Sequence, residues 1–113
     1  MSDIRKRATD ALLDCGIPMN QSGFLYILDA MELFSQHGAP FTNMRVVYEI
    51  IARKRKHSVT EIMENIKYSI EFGHNNCRTG AFVNYFGFTD KTNGNYLAFM
   101  WERLREEDAR NNN

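Results

Sequence analysis

The chain is poor in the residues that mark several specialised classes of protein. It has 113 residues with two cysteines, Cys15 and Cys77, and two prolines. Two cysteines allow at most one disulfide, which excludes a disulfide-rich secreted scaffold and is typical of a reducing cytoplasm. Apolar runs extend over only a few residues, whereas a bilayer span needs about 20. Because no secretory signal pattern is present either, we expect a cytoplasmic protein without membrane contact.

A net charge is also absent, since 14 basic residues balance 14 acidic ones. Many small nucleic-acid-binding domains are strongly basic, so this balance argues against a generally cationic surface. The basic residues are nevertheless clustered, because residues 5–7 and 53–56 hold half of them. An anionic partner would therefore meet a local basic patch.

Glycine and proline divide the chain into segments with helical periodicity. The pattern predicts six helices, at about 3–15, 22–37, 43–55, 59–73, 79–86 and 95–109. The second of these is apolar on nearly all sides, which is typical of the buried centre of a helical bundle. The third should turn Met44, Val47, Ile50 and Ile51 toward the core, and the fourth Val59, Ile62, Met63, Ile66 and Ile70. With no alternating strand pattern, the sequence predicts one all-α domain over 1–113.

The third and fourth helices form a candidate helix-turn-helix at about 43–73 in the middle of the domain. A three-residue turn at 56–58 would join them. The Ser58-to-Glu61 segment reads as a capping box, in which serine and glutamate side chains satisfy backbone N–H groups reciprocally. The second helix of such a motif enters the major groove of DNA, so helix 59–73 is the candidate recognition helix.

The candidate DNA contacts divide into two groups. Basic side chains and the capped helix start would meet phosphates, and polar side chains outside the Ile62, Ile66 and Ile70 stripe would meet base edges. The first group is Arg53, Lys54, Arg55, Lys56 and Ser58. The second group is Thr60, Glu61, Glu64, Lys67 and Tyr68.

Other interpretations of the same residues remain open or are weaker. A basic run at a helix C-terminus complements the helix dipole, and so the 53–56 run could be an ordinary solvated helix end.

The sequence contains no local nucleophile motif, glycine-rich phosphate loop or outstanding carboxylate pair, so we expect no catalytic site, cofactor or enzymatic activity. His74 and Cys77 supply two zinc-type donors where a structural site needs four, so we expect no metal.

Several short blocks, in order from residue 16 to residue 106, carry a family resemblance. These blocks are 16–18 (GIP), 23–26 (GFLY) with Ala30, 47–48 (VY), 51–54 (IARK), 66–67 (IK), 70–71 (IE), 86–89 (FGFT), 92–93 (TN) and 103–106 (RLRE). In this order and spacing the chain resembles the DNA-binding effector domain of sporulation initiation response regulators of the stage-zero sporulation protein A type. The resemblance implies a six-helix domain with a central helix-turn-helix, sequence-specific DNA binding and transcription regulation.

The recognition helix departs from the pattern of that family. Thr60 matches a hydroxyl position and Lys67 a basic one, but Glu61 and Glu64 stand where the family has arginines, and Met63 where it has glutamate. Arginine reads guanine and contacts phosphate, whereas glutamate accepts from cytosine and repels the backbone. Either the target sequence differs, or the domain is a degenerate relative that acts as a protein–protein interaction or dimerisation module.

The resemblance also implies which partners the chain would bind. It implies duplex DNA bound by a homodimer on paired half-sites, and contact with an RNA polymerase sigma factor. The family carries a phosphoacceptor receiver domain before the effector domain, and this sequence contains none.

Overall fold

Six α-helices account for most of the chain in the computed structural model, which describes residues 3–88 and 91–111. They are α1 (Ile4–Asp14), α2 (Ser22–His37), α3 (Met44–Arg55), α4 (Val59–Asn76), α5 (Ala81–Phe86) and α6 (Asn93–Asn111). No strand occurs in these two ranges. The predicted all-α class is therefore confirmed. Thr89, which belongs to one of the blocks that carry the resemblance, lies outside the described residues.

Helix α2 lies at the centre of the bundle. It packs against α1, α3, α4 and α6, which explains why apolar residues occur all round it. Phe24, Ile27, Met31 and Phe34 are buried along its length. Gly38 ends the helix in a left-handed conformation with φ of 86°, as a C-terminal glycine commonly does.

Helices α2 and α4 lie very close to each other at Gly23. A Cβ atom on Gly23 would lie 2.1 Å from the backbone oxygen of Asn65 and 2.3 Å from Oγ of Ser69. The buried Ser69 hydroxyl donates to Oε1 of Gln21 over 2.8 Å, so its polar group is satisfied inside the contact. Because only glycine fits, this crossing sets the position of α4 on the bundle.

The ends of three helices differ from the prediction by two or three residues. Helix α4 continues to Asn76 instead of ending near 73, because Gly73 lies within the helix and packs beside Ile17. A Cβ atom there would be 2.9 Å from Cγ1 of Ile17. Helix α6 spans Asn93–Asn111 instead of about 95–109, and α5 begins at Ala81 instead of 79. Gly73 thus serves packing, and the predicted stop was wrong.

Two side chains predicted to face the core are partly exposed. Ile50 of α3 is 36% exposed and Met63 of α4 is 40% exposed. The other predicted core positions of α4 fit better, since Ile62, Ile66 and Ile70 are buried. A stripe on a helix predicts only which side faces inward, and residues at its edge become exposed where no neighbouring helix covers them.

Candidate nucleic-acid interface

The turn between α3 and α4 has the predicted length and position. Helix α3 ends at Arg55, and Lys56 takes a left-handed conformation with φ of 60°. The backbone N–H groups of Lys56 and His57 both donate to the carbonyl of Ala52, which satisfies the end of α3. The ring of His57 packs edge-on against Tyr26 of α2, with ring centroids 6.2 Å apart. The turn is therefore held against the centre of the bundle.

Only half of the predicted capping box is formed. Oγ of Ser58 accepts a hydrogen bond from the backbone N–H of Glu61 over 3.1 Å, as expected of an N-cap. The carboxylate of Glu61 contacts Nδ1 of His57 at 3.0 Å instead of returning to the backbone of Ser58. The start of α4 is thus capped by one side chain and flanked by a histidine–glutamate pair.

The basic run at the end of α3 is divided between two roles. Arg55 donates from Nε and Nη2 to the two carboxylate oxygens of Asp29 on α2, over 2.8 and 2.7 Å. Nζ of Lys54 lies 3.6 Å from the same carboxylate. Arg53 and Lys56 are exposed, and neither forms an ion pair with a residue in the described ranges 3–88 and 91–111. Within this run, Arg53 and Lys56 are therefore the residues that an anion can reach without displacing a carboxylate of the described part of the chain.

Asp29 is the charged centre of this arrangement. Its side chain is 2% exposed, and Nη1 of Arg5 on α1 also donates to it over 3.2 Å. Partial desolvation raises the pKa of Asp29, but hydrogen bonds from Arg55 and the charges of Arg55 and Lys54 outweigh it and hold that pKa below its ordinary value. The hydrogen bond with Asp29 in turn raises the pKa of Arg55. One carboxylate therefore joins three helices, α1, α2 and α3.

The candidate base-contacting residues share the solvent side of α4. Thr60, Glu61, Glu64, Lys67 and Tyr68 are all exposed. The spacing of Thr60, Glu64 and Lys67 places these three above one another on one face of the helix. Tyr68 is 57% exposed, and its ring lies 6.3 Å from that of Phe72. The fold thus leaves the predicted recognition face of α4 open.

The exposed face of α4 carries more acidic than basic side chains. Three exposed carboxylates, Glu61, Glu64 and Glu71, accompany one exposed ammonium group, Lys67. DNA binding depends on neutralising phosphates with basic side chains, so a helix with this charge would contribute little general affinity for DNA. Attraction to a phosphate backbone would come from Arg53, Lys56 and the start of α4.

A shallow cavity of about 280 Å³ extends along the other edge of this face. It lies between α4 and the start of α6 and is lined by Lys67, Ile70, Glu71, His74, Lys91, Asn93 and Tyr96. Charges of both signs are present, and Nζ of Lys91 already donates to the carbonyl of Phe88 over 2.6 Å. The cavity therefore extends the polar surface beside Lys67 without concentrating one sign of charge.

Sequence reasoning missed two residues that position this surface, Asp29 and Asn93. Nδ2 of Asn93 donates to the hydroxyl of Tyr48 on α3 over 3.2 Å and to the carbonyl of Met63 on α4 over 3.1 Å. One amide thus ties the start of α6 to both helices of the candidate motif. A signal existed for Asp29, which is the first acidic residue in a helix otherwise apolar on nearly all sides.

Comparison of the chain with models of known protein families and with curated proteins gives no match. Within residues 3–88 and 91–111, none of the helices has the length and apolar character needed to cross a membrane. The same residues include no cluster of three or more histidine, cysteine, aspartate or glutamate side chains that could hold a metal ion.

Proposed function

We propose that this chain is the DNA-binding domain of a transcription regulator, in which α4 is the recognition helix. The observation that carries the proposal is the placement of α3, the turn at 56–58 and α4. These elements pack on each other, and the side chains of α4 predicted to meet bases are exposed on the solvent side. A capped helix after a short turn is the arrangement with which helix-turn-helix proteins enter the major groove.

The contacts can be assigned by their exposure. Arg53 and Lys56, together with the N–H groups at the start of α4, meet phosphates. The base-contacting group of α4, which includes Glu61 and Glu64, faces base edges, where a glutamate accepts from the amino group of cytosine. Arg55 and Lys54 hold the end of α3 against Asp29 and so orient the turn. Such a domain would act in the cytoplasm, as a homodimer on paired half-sites, and the family resemblance is what supports contact with a sigma factor.

A salt-dependent titration on duplex DNA tests the phosphate contacts. Replacing Arg53 and Lys56 with alanine should weaken binding to all sequences alike. The slope of log affinity against log salt concentration is negative, and each lost contact should make it shallower by about 0.9. The matched control replaces Lys6 and Arg110, two exposed cations on α1 and α6, and should leave the slope unchanged. Equal slopes for both double variants would contradict the assignment.

Selection from randomised duplexes tests base recognition by α4. Wild-type protein should enrich a defined site, and Glu61→Arg with Glu64→Arg should lose that preference because the new arginines no longer accept from cytosine. Discrimination at each affected base pair should fall by about 1–3 kcal/mol. Folding should survive, since both side chains are exposed. If wild type enriches no site and the variant gains only salt-sensitive binding, α4 is not a recognition helix.

A second candidate function is a protein–protein interaction or dimerisation module that has the fold without DNA binding. The zero net charge of the chain and the acidic exposed face of α4 favour it, as do exposed apolar side chains of α3 and α4. These side chains are Val46 and Ile50 on α3 and Met63 and Tyr68 on α4, each at least 36% exposed. Under this proposal, Met63→Ser with Tyr68→Ser should shift a concentration-dependent dimer toward monomer in sedimentation experiments. A wild type that is monomeric at all concentrations would remove the dimerisation form of the proposal.

A further inference from the structure

The two cysteines, 62 positions apart in sequence, belong to helix ends that meet in the fold. Cys15 is the residue after α1, and Cys77 is the residue after α4. Sγ of Cys77 lies 3.7 Å from the carbonyl oxygen of Asp14, and a Cβ atom on Gly16 would lie 3.7 Å from Cα of Cys77. Both chain neighbours of Cys15 therefore touch Cys77.

These contacts limit the separation of the two cysteines. The Cβ position on Gly16 lies 3.7 Å from Cα of Cys77, and consecutive Cα atoms are about 3.8 Å apart, so the Cα atoms of Cys15 and Cys77 are at most about 9 Å apart. Disulfides join Cα atoms that are roughly 4.4–6.8 Å apart. Both residues are the C-cap of a helix, and the N–H group of each still donates to the carbonyl four residues earlier. A disulfide would therefore require side-chain rotation and an approach of the two helix ends by about 2 Å at most.

The two thiols differ in burial and in the direction of their pKa shifts. Cys15 is fully buried, and burial is the main cause that raises its pKa to about 12. Cys77 is half-buried and reaches solvent. Some desolvation raises the pKa of Cys77, but hydrogen bonding at the backbone and hydroxyl of Thr79 and at the backbone of Phe82 and Ala81 outweighs it and lowers that pKa. Cys77 is thus the better nucleophile, because the thiolate is the reactive form.

We propose that Cys77 is a site of oxidation by hydrogen peroxide and that Cys15 resolves the product into an internal disulfide. The thiolate of Cys77 attacks one peroxide oxygen, the O–O bond breaks, and a sulfenic acid and hydroxide form. The hydroxide takes a proton to become water. The sulfur of Cys15 then attacks the sulfenic sulfur, the S–O bond breaks, and the thiol proton leaves with hydroxide as a second water. Two thiols are oxidised by two electrons, and one peroxide is reduced to two waters.

The product would connect the C-terminal ends of α1 and α4 covalently. Oxidation would thus couple the last turn of α4 to α1, and a dithiol would reverse the bridge by exchange. Loss of the charge on Cys77 upon oxidation removes one contribution to the high pKa of Cys15, which favours the second step. The inference stands independently of the proposed DNA binding, because it concerns only residues 14–16 and 77–82.

Peptide mapping of the oxidised full chain tests the proposal. Wild-type protein treated with hydrogen peroxide should lose two hydrogen atoms in mass, lose both alkylatable thiols in equal amounts, and yield one peptide pair joined through Cys15 and Cys77. Cys15→Ser should stop at the sulfenic acid of Cys77, which dimedone captures. Cys77→Ser should leave Cys15 alkylatable only after denaturation.

The wild-type result alone decides the question even if Cys15→Ser fails to fold. The proposal is overturned if Cys77 proceeds to sulfinic acid while Cys15 stays free, or if the only disulfide joins two chains. It is also overturned if both thiols resist peroxide to the same degree. Native alkylation with iodoacetamide gives a second measurement, in which Cys77 should react much faster than Cys15.

Discussion

Replacing Asp29 with asparagine should destabilise the protein more than any other single charge change at the α2–α3 contact. The carboxylate accepts two hydrogen bonds from Arg55 and one from Arg5, and Nζ of Lys54 is 3.6 Å away. Asparagine has nearly the same shape but no charge and one acceptor oxygen. Asp29→Asn therefore leaves three cations beside a buried neutral amide.

The magnitude follows from the burial of the partners. Removing one member of a fully buried ion pair costs about 3–5 kcal/mol. Arg55 is 25% exposed and Lys54 is 51% exposed, so water screens part of that loss. The amide oxygen also keeps one hydrogen bond from Arg55. We expect a loss of about 2 kcal/mol in the free energy of unfolding, which corresponds to roughly 6–10 °C in Tm for a domain of this size.

The pH dependence of this loss has a defined sign. The pKa of Asp29 is lowered in the folded state, so the carboxylate contributes stability above its unfolded pKa of about 4. That contribution is lost as the pH falls through the folded pKa. The difference between wild type and Asp29→Asn should be constant above about pH 5 and shrink as the pH drops below about 4.

Urea unfolding followed by helical circular dichroism measures both effects. Glu32→Gln is the matched control, because Glu32 is 35% exposed and lies 3.7–3.8 Å from Arg5 and Lys54. It should cost less than about 1 kcal/mol. The reasoning is refuted if the two variants are equally stable at pH 7, or if the gap between wild type and Asp29→Asn widens in acid.

Substitutions at two further positions, Gly23 and Ser58, test how α4 packs against α2 and how its first turn is capped. Gly23→Ala should cost about 2–4 kcal/mol in thermal unfolding, because its Cβ would lie 2.1 Å from the backbone oxygen of Asn65. At Gly80 an added Cβ would have no atom within 4 Å, so Gly80→Ala is the matched control and should cost well under 1 kcal/mol. If the two variants lose equal stability, α2 and α4 can separate without penalty. Ser58→Ala should lower the free energy of unfolding by about 1 kcal/mol, because it removes the hydrogen bond from the N–H of Glu61. Ser58→Asp should preserve stability, because aspartate also accepts this hydrogen bond. If neither variant is destabilised, the cap contributes nothing to stability.

Local features of the sequence determined the number, order and approximate ends of the helices. Glycines 16 and 38 stop α1 and α2, and Ser58 caps α4, because turns and caps depend on neighbouring residues alone. The exposure of Thr60, Glu64 and Lys67 also followed from the period of the helix, since the opposite face carries isoleucines. These features needed no knowledge of which helices touch.

Only the tertiary structure decided which members of the basic run are engaged. Residues 53–56 are four similar cations in the sequence, yet Arg55 is bound to a carboxylate 26 positions away, while Arg53 and Lys56 remain exposed. Likewise Gly73 looks like a helix stop and is a packing position, because Ile17 lies against it. The meeting of Cys15 and Cys77 belongs to the same group. Ion pairs, close packing and thiol proximity depend on contacts between residues distant in the chain, and periodicity along one helix contains no information about its partner.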